Sequence, residues 1–208
     1  SQNLKLAGQL PSSIQQMFDK KKIPETPSLE SENFSRSSWH MLLGNKDGVD
    51  VLHEQVTSRG WIVEQDLSVD DWPYEIAVRH LLEHLENMRR NNPGETVALL
   101  TGGELSVPVI GDGMGGRNQA FVLSCVHHIA GQNIAILSAG TDGIDGNSPA
   151  AGAVADGETL ARASTAGMSV SDFERRSDSF HFFEKLDDLL ITGPTGNNIR
   201  DLRVMVAW

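Results

Sequence analysis

The chain has 208 residues, 39% of them hydrophobic, and its 28 acidic and 17 basic residues give a formal net charge of −11. This length allows one large domain or two small ones with a packed core. The acidic balance argues against nucleic acid as a partner, because phosphate backbones are bound by clustered Lys and Arg. An anionic substrate would need local positive potential from Arg, Lys or main-chain N–H groups.

Neither a membrane span nor a leader peptide is predicted. No apolar run approaches about 18 residues, and the opening SQNLKLAGQLPSS lacks the apolar core and cleavage site of a signal peptide. We therefore expect no membrane partner and a cytoplasmic location. Cys125 is the single cysteine and has apolar neighbours, which predicts a buried, inert thiol and no redox chemistry.

A short helix and a linker are predicted for the first part of the chain. Ser12 and Gln15 have the spacing of a capping box and precede apolar residues at helical spacing. Residues 21–38, KKIPETPSLESENFSRSS, are polar, contain two prolines and have no periodicity, which is typical of a linker. These patterns divide the chain into residues 1–38 and a domain of residues 39–208.

Strand-like and helix-like patterns alternate in the second part. The predicted strands are WHMLLG, WIVEQ, VALLTGG, LSVPVIG, NIAILSAG, DLLITG and LRVMVAW, which begin at residues 39, 61, 97, 105, 133, 188 and 202. A turn around Gly103 is predicted to join VALLTGG and LSVPVIG. Helices are predicted from Asp47, along the apolar stripe of Ala77, Leu81, Leu85 and Met88, near Arg117, and from Asp156 and Ser171. The alternation predicts a layered α/β sandwich with a mostly parallel or mixed sheet.

Three glycine-rich loops follow predicted strands. They are GDGMGGRNQ (111–119), SAGTDGIDGNS (138–148) and TGPTGNN (192–198). Ligands of α/β proteins gather at such strand ends. Glycine lets main-chain N–H groups approach an anion, and the helix that follows the first loop adds the positive end of its dipole. The first loop is predicted to bind phosphate or carboxylate, with simple tight turns as the alternative.

Other motifs give weaker evidence for a nucleotide or metal site. GDGMGG matches the dinucleotide pattern G-x-G-x-x-G but lacks the surrounding β-α-β unit, and no P-loop motif occurs. HLLEH (80–84) matches the H-x-x-E-H pattern of inverted zinc peptidases. Because no downstream helix offers a third carboxylate ligand, a solvated helix face is the favoured interpretation. His127 and His128 point to different sides of their helix and are not expected to chelate a metal together.

Longer motifs carry a family resemblance. LLTGGELSV, GMGGRNQAFVL, ILSAGTDGIDGNSPAAGAVAD, SDSFHFF and DLLITGPTGNNIRDL resemble, in this order, the C-terminal part of the glycerate 2-kinase family, a region called MOFRL. Many members carry the label hydroxypyruvate reductase. The resemblance covers nearly the whole chain, and it implies that the N-terminal Rossmann-like domain of these enzymes is missing. Ala120, Ser177 and Asn197 depart from the residues usual in the family, which are Glu, Asn and Thr.

The resemblance implies a reaction in which ATP and D-glycerate give ADP and 2-phosphoglycerate with a divalent metal such as Mg²⁺. Arg117 would bind a phosphate or the glycerate carboxylate. Asp142 would orient the substrate hydroxyl or hold metal, and Asp145 is the second candidate for the metal, although Asp-Gly pairs also form simple turns. The residues expected to bind substrate or phosphate are Gly115, Gly116, Asn118, Thr141, Thr195, Gly196 and Asn197.

The implied cleft lies between two domains, so this chain alone is expected to be inactive. The expected partners are D-glycerate, nucleotide, the missing N-terminal domain and a second copy in a homo-oligomer. A non-catalytic anion-binding or docking domain is the main alternative. Hydroxypyruvate reductase is a further alternative, mainly as an inherited family label, because no nicotinamide fingerprint is present. If the loops form one site, Arg117, Asp142 and residues 195–197 should face a common cleft. If the domain that forms the other side of the cleft is missing, apolar surface should also be exposed on this chain.

Overall fold

The computed structural model describes residues 11–19, 26–28, 30–38 and 40–208, and the chain divides into two compact units, residues 1–41 and 42–208. The first unit contains the predicted helix, α1 (Ser12–Asp19), and a 3₁₀ turn at Glu32–Phe34. The boundary predicted after residue 38 lies close to this division. None of the helices described is both long and apolar enough to cross a membrane.

The second unit alternates helices and strands. Its elements in chain order are α2 (Asn45–Thr57), β1 (Ile62–Gln65), α3 (Tyr74–Asn91), β2 (Val97–Gly102), α4 (Arg117–Ile129), β3 (Ile134–Gly140), β4 (Gly152–Asp156), α5 (Thr159–Thr165), α6 (Val170–Arg175), α7 (Ser179–Leu186), β5 (Leu189–Leu190) and β6 (Asp201–Ala207).

The strands form one six-stranded sheet in the order β1-β2-β6-β3-β4-β5. β1 and β2 are parallel, and the other neighbouring pairs are antiparallel. The predicted α/β architecture with a mixed sheet is therefore confirmed. Because β6 lies antiparallel between β2 and β3, those two strands run in the same direction and end at the same edge. The segments that follow β2, β3 and β5 all lie at this edge, which is called the loop edge below.

Helices cover both faces of the sheet. Alternate residues of a strand point to opposite faces, and in β2 Leu99 belongs to one buried cluster while Leu100 belongs to another. The larger cluster includes residues of α3 to α7, and the smaller one packs under α2. Cys125 of α4 is fully buried in the larger cluster, and this burial raises the pKa of its thiol, as expected for an inert cysteine.

Two predicted strands are wrong. Residues 40–44 of WHMLLG form no strand, while Trp39 lies outside the described residues. Leu42 is 94% exposed, and Gly44 is the N-cap of α2, where its N–H donates to Asp47 Oδ2 at 2.6 Å. The apolar side chains of this segment are therefore exposed to solvent. Asp47, in the first turn of α2, caps the helix.

The predicted hairpin after β2 is the second error. In residues 105–110 only Ser106 makes a bridge, with Pro73, and Val109 and Ile110 are 82% and 72% exposed. The physical reason is that β1 and β6 occupy both edges of β2, so a hairpin partner has no place to pair. Strand β4 was not predicted, because GAVAD is rich in small residues and carries a weak strand pattern.

Candidate functional site

The glycine loop, residues 111–116, is anchored to the segment that precedes α7. Gly113 N–H donates to the carbonyl of Arg176, and Met114 N–H donates to Asp178 Oδ1 at 3.0 Å. Gly115 N–H donates to Asn147 Oδ1 at 2.8 Å. The loop is thus held from two sides by hydrogen bonds.

Helix α4 begins at Arg117, directly after this loop, as predicted. Its N-cap is Gly116, which has no side chain to bond the free N–H groups of the first turn. The carboxylate of Asp145 replaces that side chain: it accepts four hydrogen bonds, at 2.9 to 3.2 Å, from the main-chain and side-chain N–H groups of Asn118 and Gln119. A Cβ at Gly116 would overlap this carboxylate, so close packing explains the glycine.

These contacts bear on two of the predicted site residues, Asp145 and Asn118. Asp145 is only 2% exposed and each of its oxygens accepts two N–H groups, which leaves the carboxylate saturated and poorly suited to a metal. Burial raises the pKa of Asp145, against the lowering effect of the N–H donors. Asn118 is buried as well: its side chain donates to Asp145 and accepts from Ser138 Oγ at 2.5 Å. Its amide therefore supports the helix start rather than an anion.

Arg117 lies at the centre of an ion-pair network that sequence reasoning missed. Its Nε and Nη2 donate to the two oxygens of Asp201 at 2.6 and 3.0 Å, and Nη2 also donates to Glu104 Oε1 at 2.8 Å. The hydrogen bonds to Asp201 raise the pKa of Arg117 further above its usual range, so its charge is permanent. The side chain is 36% exposed, and the expectation that Arg117 reaches solvent beside an acidic partner is met.

A second arginine, Arg203, contacts the same carboxylate as Arg117. Arg203 of β6 is fully buried; its Nη2 donates to Asp201 Oδ2 at 3.2 Å and its Nη1 to the carbonyl of Gly103 at 3.1 Å. Burial lowers the pKa of Arg203 to about 10, although Asp201 acts in the opposite direction. The sequence contains a signal for this pair: in DLRVMVA the two charged residues alternate in step with Met205 and Ala207, so they share the inward face of the strand.

A cavity of about 440 Å³ opens beside the glycine loop, which is the size of an ordinary small-molecule pocket. Three of the predicted site residues line it, namely Gly115, Gly116 and Arg117. Within the part of the chain that is described, the main-chain N–H groups of Gly116 and Arg117 have no acceptor. Much of the remaining wall is apolar and includes Leu105, Val107, Pro108, Val109, Ile110, Leu123 and Phe173.

Glu174 and Tyr74 are titratable residues that also line this cavity. Burial raises the pKa of Glu174, with Glu75 adding to the effect and His127 and His128 opposing it. Burial likewise raises the pKa of Tyr74. Neither residue was predicted from sequence, because a single Glu or Tyr in a helix carries no motif.

The remaining predicted residues form a separate contact at the loop edge. Thr195 N–H donates to the carbonyl of Asp142, and Thr195 Oγ1 donates to the carbonyl of Thr141 at 2.6 Å. Asn197 N–H donates back to Thr195 Oγ1 at 3.3 Å, and Gly196 lies exposed at the tip with a φ of +77°. None of these residues lines the cavity, so the expected common cleft is divided into two neighbouring parts.

Gly140 lies between the two parts, close to a residue of each. A Cβ at Gly140 would lie 3.0 Å from Asp142 Oδ1 and 3.6 Å from Asp201 Oδ1. Asp142 thus lies near the buried carboxylate that holds Arg117. Its Oδ1 accepts from Ile144 N–H at 3.2 Å, and its Oδ2 has no donor among the residues the structure describes.

Known proteins are similar to this chain over the part that contains the glycine loop, Arg117 and Asp142. The MOFRL family matches residues 97–201. The D-glycerate 2-kinase of Thermotoga maritima is 43% identical over 106 residues, which are 50% of this chain and 25% of that protein. A protein of Agrobacterium vitis named "Putative hydroxypyruvate reductase" is 44% identical over 111 residues, which are 52% of this chain and 29% of that protein.

A solved structure agrees with the fold. The crystal structure of the glycerate kinase from Thermotoga maritima superposes on 93% of this chain and 49% of its own, with a TM-score of 0.78 and 28% sequence identity. The chain therefore spans between a quarter and about half of the length of these relatives.

Proposed function

Because the chain belongs to the MOFRL family, we propose that it is the C-terminal domain of a glycerate 2-kinase, which transfers the γ-phosphoryl group of ATP to D-glycerate and gives ADP and 2-phosphoglycerate. The observation that carries this proposal is the position of Arg117. Its guanidinium is held by Asp201 and Glu104 at the wall of the cavity, next to the main-chain N–H groups of Gly116 and Arg117, which have no acceptor among the residues described. Phosphoryl transfer depends on groups placed in advance around an anion in this way.

Charge counting supports a further part of the proposal, namely that the chain is inactive by itself. The positive charges of Arg117 and Arg203 are already matched by the carboxylates of Asp201 and Glu104. A nucleotide triphosphate brings several negative charges, and their neutralisation in the transition state needs additional cations. We propose that a further region of the complete enzyme supplies these cations.

Mg²⁺ is part of the implied reaction, and one residue fits it. Mg²⁺ is bound by one or two carboxylates together with water and substrate phosphates. Asp142 presents an oxygen without a donor in the described part of the chain, whereas both oxygens of Asp145 are saturated. We therefore propose Asp142, in place of Asp145, as the carboxylate that would hold Mg²⁺, whose charge would offset that of the phosphates.

A separate observation supports the alternative that this chain is a docking domain. Val109 and Ile110 are largely exposed although they form part of the cavity wall. Exposed apolar side chains beside a polar rim are typical of a surface that another domain covers. This is compatible with catalysis, because the covering domain would close the cavity. The oligomeric state and the cytoplasmic location remain predictions.

The test is a chimera in which this chain replaces the matching half of the Thermotoga maritima glycerate kinase. We expect glycerate-dependent ADP release from the chimera and none from the isolated chain. The matched controls are the chimera without glycerate and the chimera with Arg117→Gln. A folded chimera that binds ATP but releases no ADP would contradict the kinase assignment, while robust release by the isolated chain would contradict its inactivity.

Reduction of hydroxypyruvate is tested in the same preparation. We expect no oxidation of NADH or NADPH when hydroxypyruvate is added to the chimera, because the chain has no dinucleotide fingerprint. Steady hydroxypyruvate-dependent oxidation would show that the name of the Agrobacterium vitis relative applies to this chain.

A further inference from the structure

Two histidines of α3 and an aspartate meet just beyond the end of β1. His80 Nε2 lies 2.7 Å from Asp66 Oδ2, and His84 Nδ1 lies 3.1 Å from the same oxygen. One ligand atom from each of the three side chains lies within 4.8 Å of the other two. Since His80 and His84 are one turn apart, their rings project from the same side of the helix. Three side chains capable of binding a metal therefore converge on one point.

The aspartate changes the interpretation of the HLLEH motif. The motif was expected to lie on a solvated helix face because no downstream helix offered a carboxylate. The structure places an upstream carboxylate there instead, since Asp66 directly follows β1 and its N–H pairs with the carbonyl of Leu100. The third potential ligand lies 14 and 18 positions before the two histidines.

Neighbouring groups orient two of the three side chains. Ser68 donates to Asp66 Oδ1 through its N–H at 2.9 Å and its hydroxyl at 2.6 Å, which leaves Oδ2 directed at the histidines. Glu64 Oε2 lies 2.7 Å from His84 Nε2. A histidine that donates one ring N–H to a carboxylate presents the lone pair of its other nitrogen, here Nδ1, to a metal. This carboxylate–histidine arrangement is typical of protein metal sites.

The site is accessible from solvent. The side chains of Asp66, His80 and His84 are 10%, 39% and 27% exposed, so an ion can enter from solvent.

We propose that Asp66, His80 and His84 bind a divalent transition-metal ion, and that Zn²⁺ fits the site best. Two imidazoles and one carboxylate, with the fourth position open to water, are a common zinc ligand set. Mg²⁺ and Ca²⁺ prefer oxygen ligands, so the imidazoles disfavour them. Ligand atoms in a tetrahedral zinc site lie about 3.3 Å apart, so the two nitrogen–oxygen distances of 2.7 and 3.1 Å would need to widen only slightly to admit the ion.

The ion would couple this cluster to the ion-pair network around Arg117. Residues 66–73 join β1 to α3, and Asp70 within them accepts a hydrogen bond from Glu104 N–H at 2.9 Å and pairs with Arg200. Glu104 in turn holds Arg117. A metal bound at Asp66 would fix one end of the segment that positions a partner of Arg117.

The test is metal titration of the purified full chain after removal of metal with EDTA. Co²⁺ uptake is followed by visible absorption and Zn²⁺ uptake by calorimetry. We expect one ion per chain. We expect at least a hundredfold loss of affinity in His80→Gln and in His84→Gln. Glu64→Gln, which changes only the orienting carboxylate, should weaken binding by roughly tenfold to a hundredfold. The matched control is the double variant His127→Gln/His128→Gln on the exposed histidines of α4.

Folding is monitored in the same samples by circular dichroism and thermal unfolding. His80→Gln retains the contacts of His84 with Glu64 and Asp66, so it should keep the native unfolding temperature without metal while losing the rise caused by Zn²⁺ in the unmodified chain. Absence of stoichiometric uptake by the unmodified chain would overturn the proposal. So would uptake that is unchanged in folded His80→Gln or that is lost in the control.

Discussion

Asp201 and Arg203 form a fully buried ion pair on the inward face of β6, with Oδ2 and Nη2 3.2 Å apart. The same carboxylate also pairs with Arg117, so Asp201→Asn would leave two guanidinium groups without their shared partner. Removal of one partner of a buried pair typically costs about 3–5 kcal/mol. We expect a loss of this size in the free energy of unfolding, measured by urea denaturation.

The matched control for this change is Asp172→Asn. Asp172 pairs with Arg175 and Arg176 at the surface, where its side chain is 43% exposed. Exposed pairs contribute about 0–1 kcal/mol, so this variant should unfold near the midpoint of the unmodified chain. Equal losses for the two variants would show that the buried network has no special role in stability.

Arg117→Lys tests the geometry of the guanidinium separately from its charge. A lysine ammonium keeps the charge but cannot reproduce the two-pronged contact with Asp201 while it also reaches Glu104. We expect at least a tenfold lower turnover in the chimeric kinase, with the circular dichroism spectrum unchanged. Arg175→Lys at an exposed position serves as the control. Unchanged turnover in Arg117→Lys would assign the residue a purely structural role.

Gly116→Ala should disturb the start of α4. The added Cβ would overlap the carboxylate of Asp145, which caps the helix. Overpacking together with weaker capping bonds should cost roughly 2–3 kcal/mol of stability.

Gly196→Ala provides the comparison. Gly196 has a φ of +77°, and no heavy atom of the described residues lies within 4 Å of the Cβ that an alanine would add. The left-handed backbone conformation should therefore be the main cost of the alanine, at about 1 kcal/mol. If Gly116→Ala were the milder of the two substitutions in thermal unfolding, close packing would not be the reason for the glycine.

Glu174 predicts a pH dependence of stability. Its pKa is raised by burial, so its contribution to stability is fully present below the unfolded value of about 4.5 and is lost as the pH rises through the folded value. Glu174→Gln should therefore be more stable than the unmodified chain at pH 7, by at most about 2 °C in Tm because the group is partly exposed. The difference should vanish near pH 4. Glu184→Gln, at an exposed position, is the matched control.

Local patterns in the sequence predict the architecture better than they predict the site. The apolar run of β2 and the helix start at Arg117 depend on neighbouring residues, and both were predicted correctly. The partner of Arg117, in contrast, lies 84 positions away in β6, and the carboxylate beside HLLEH follows the preceding strand β1. Such contacts depend on strand order. The hairpin was wrong for the same reason, since only the complete sheet shows that both edges of β2 are occupied.

The central place of β6 has a consequence for biosynthesis. This strand is translated after all the other strands, yet it alone joins β1-β2 to β3-β4-β5. Until it leaves the ribosome, β2 and β3 lack the strand that pairs with both of them, and strand edges left unpaired are prone to pair with other chains. The long sequence separation between β2 and β6 also predicts slow closure of the sheet. The strand that places Asp201 and Arg203 behind Arg117 is thus also the one that ends this vulnerable period, so the ion-pair network cannot form before the whole sheet does.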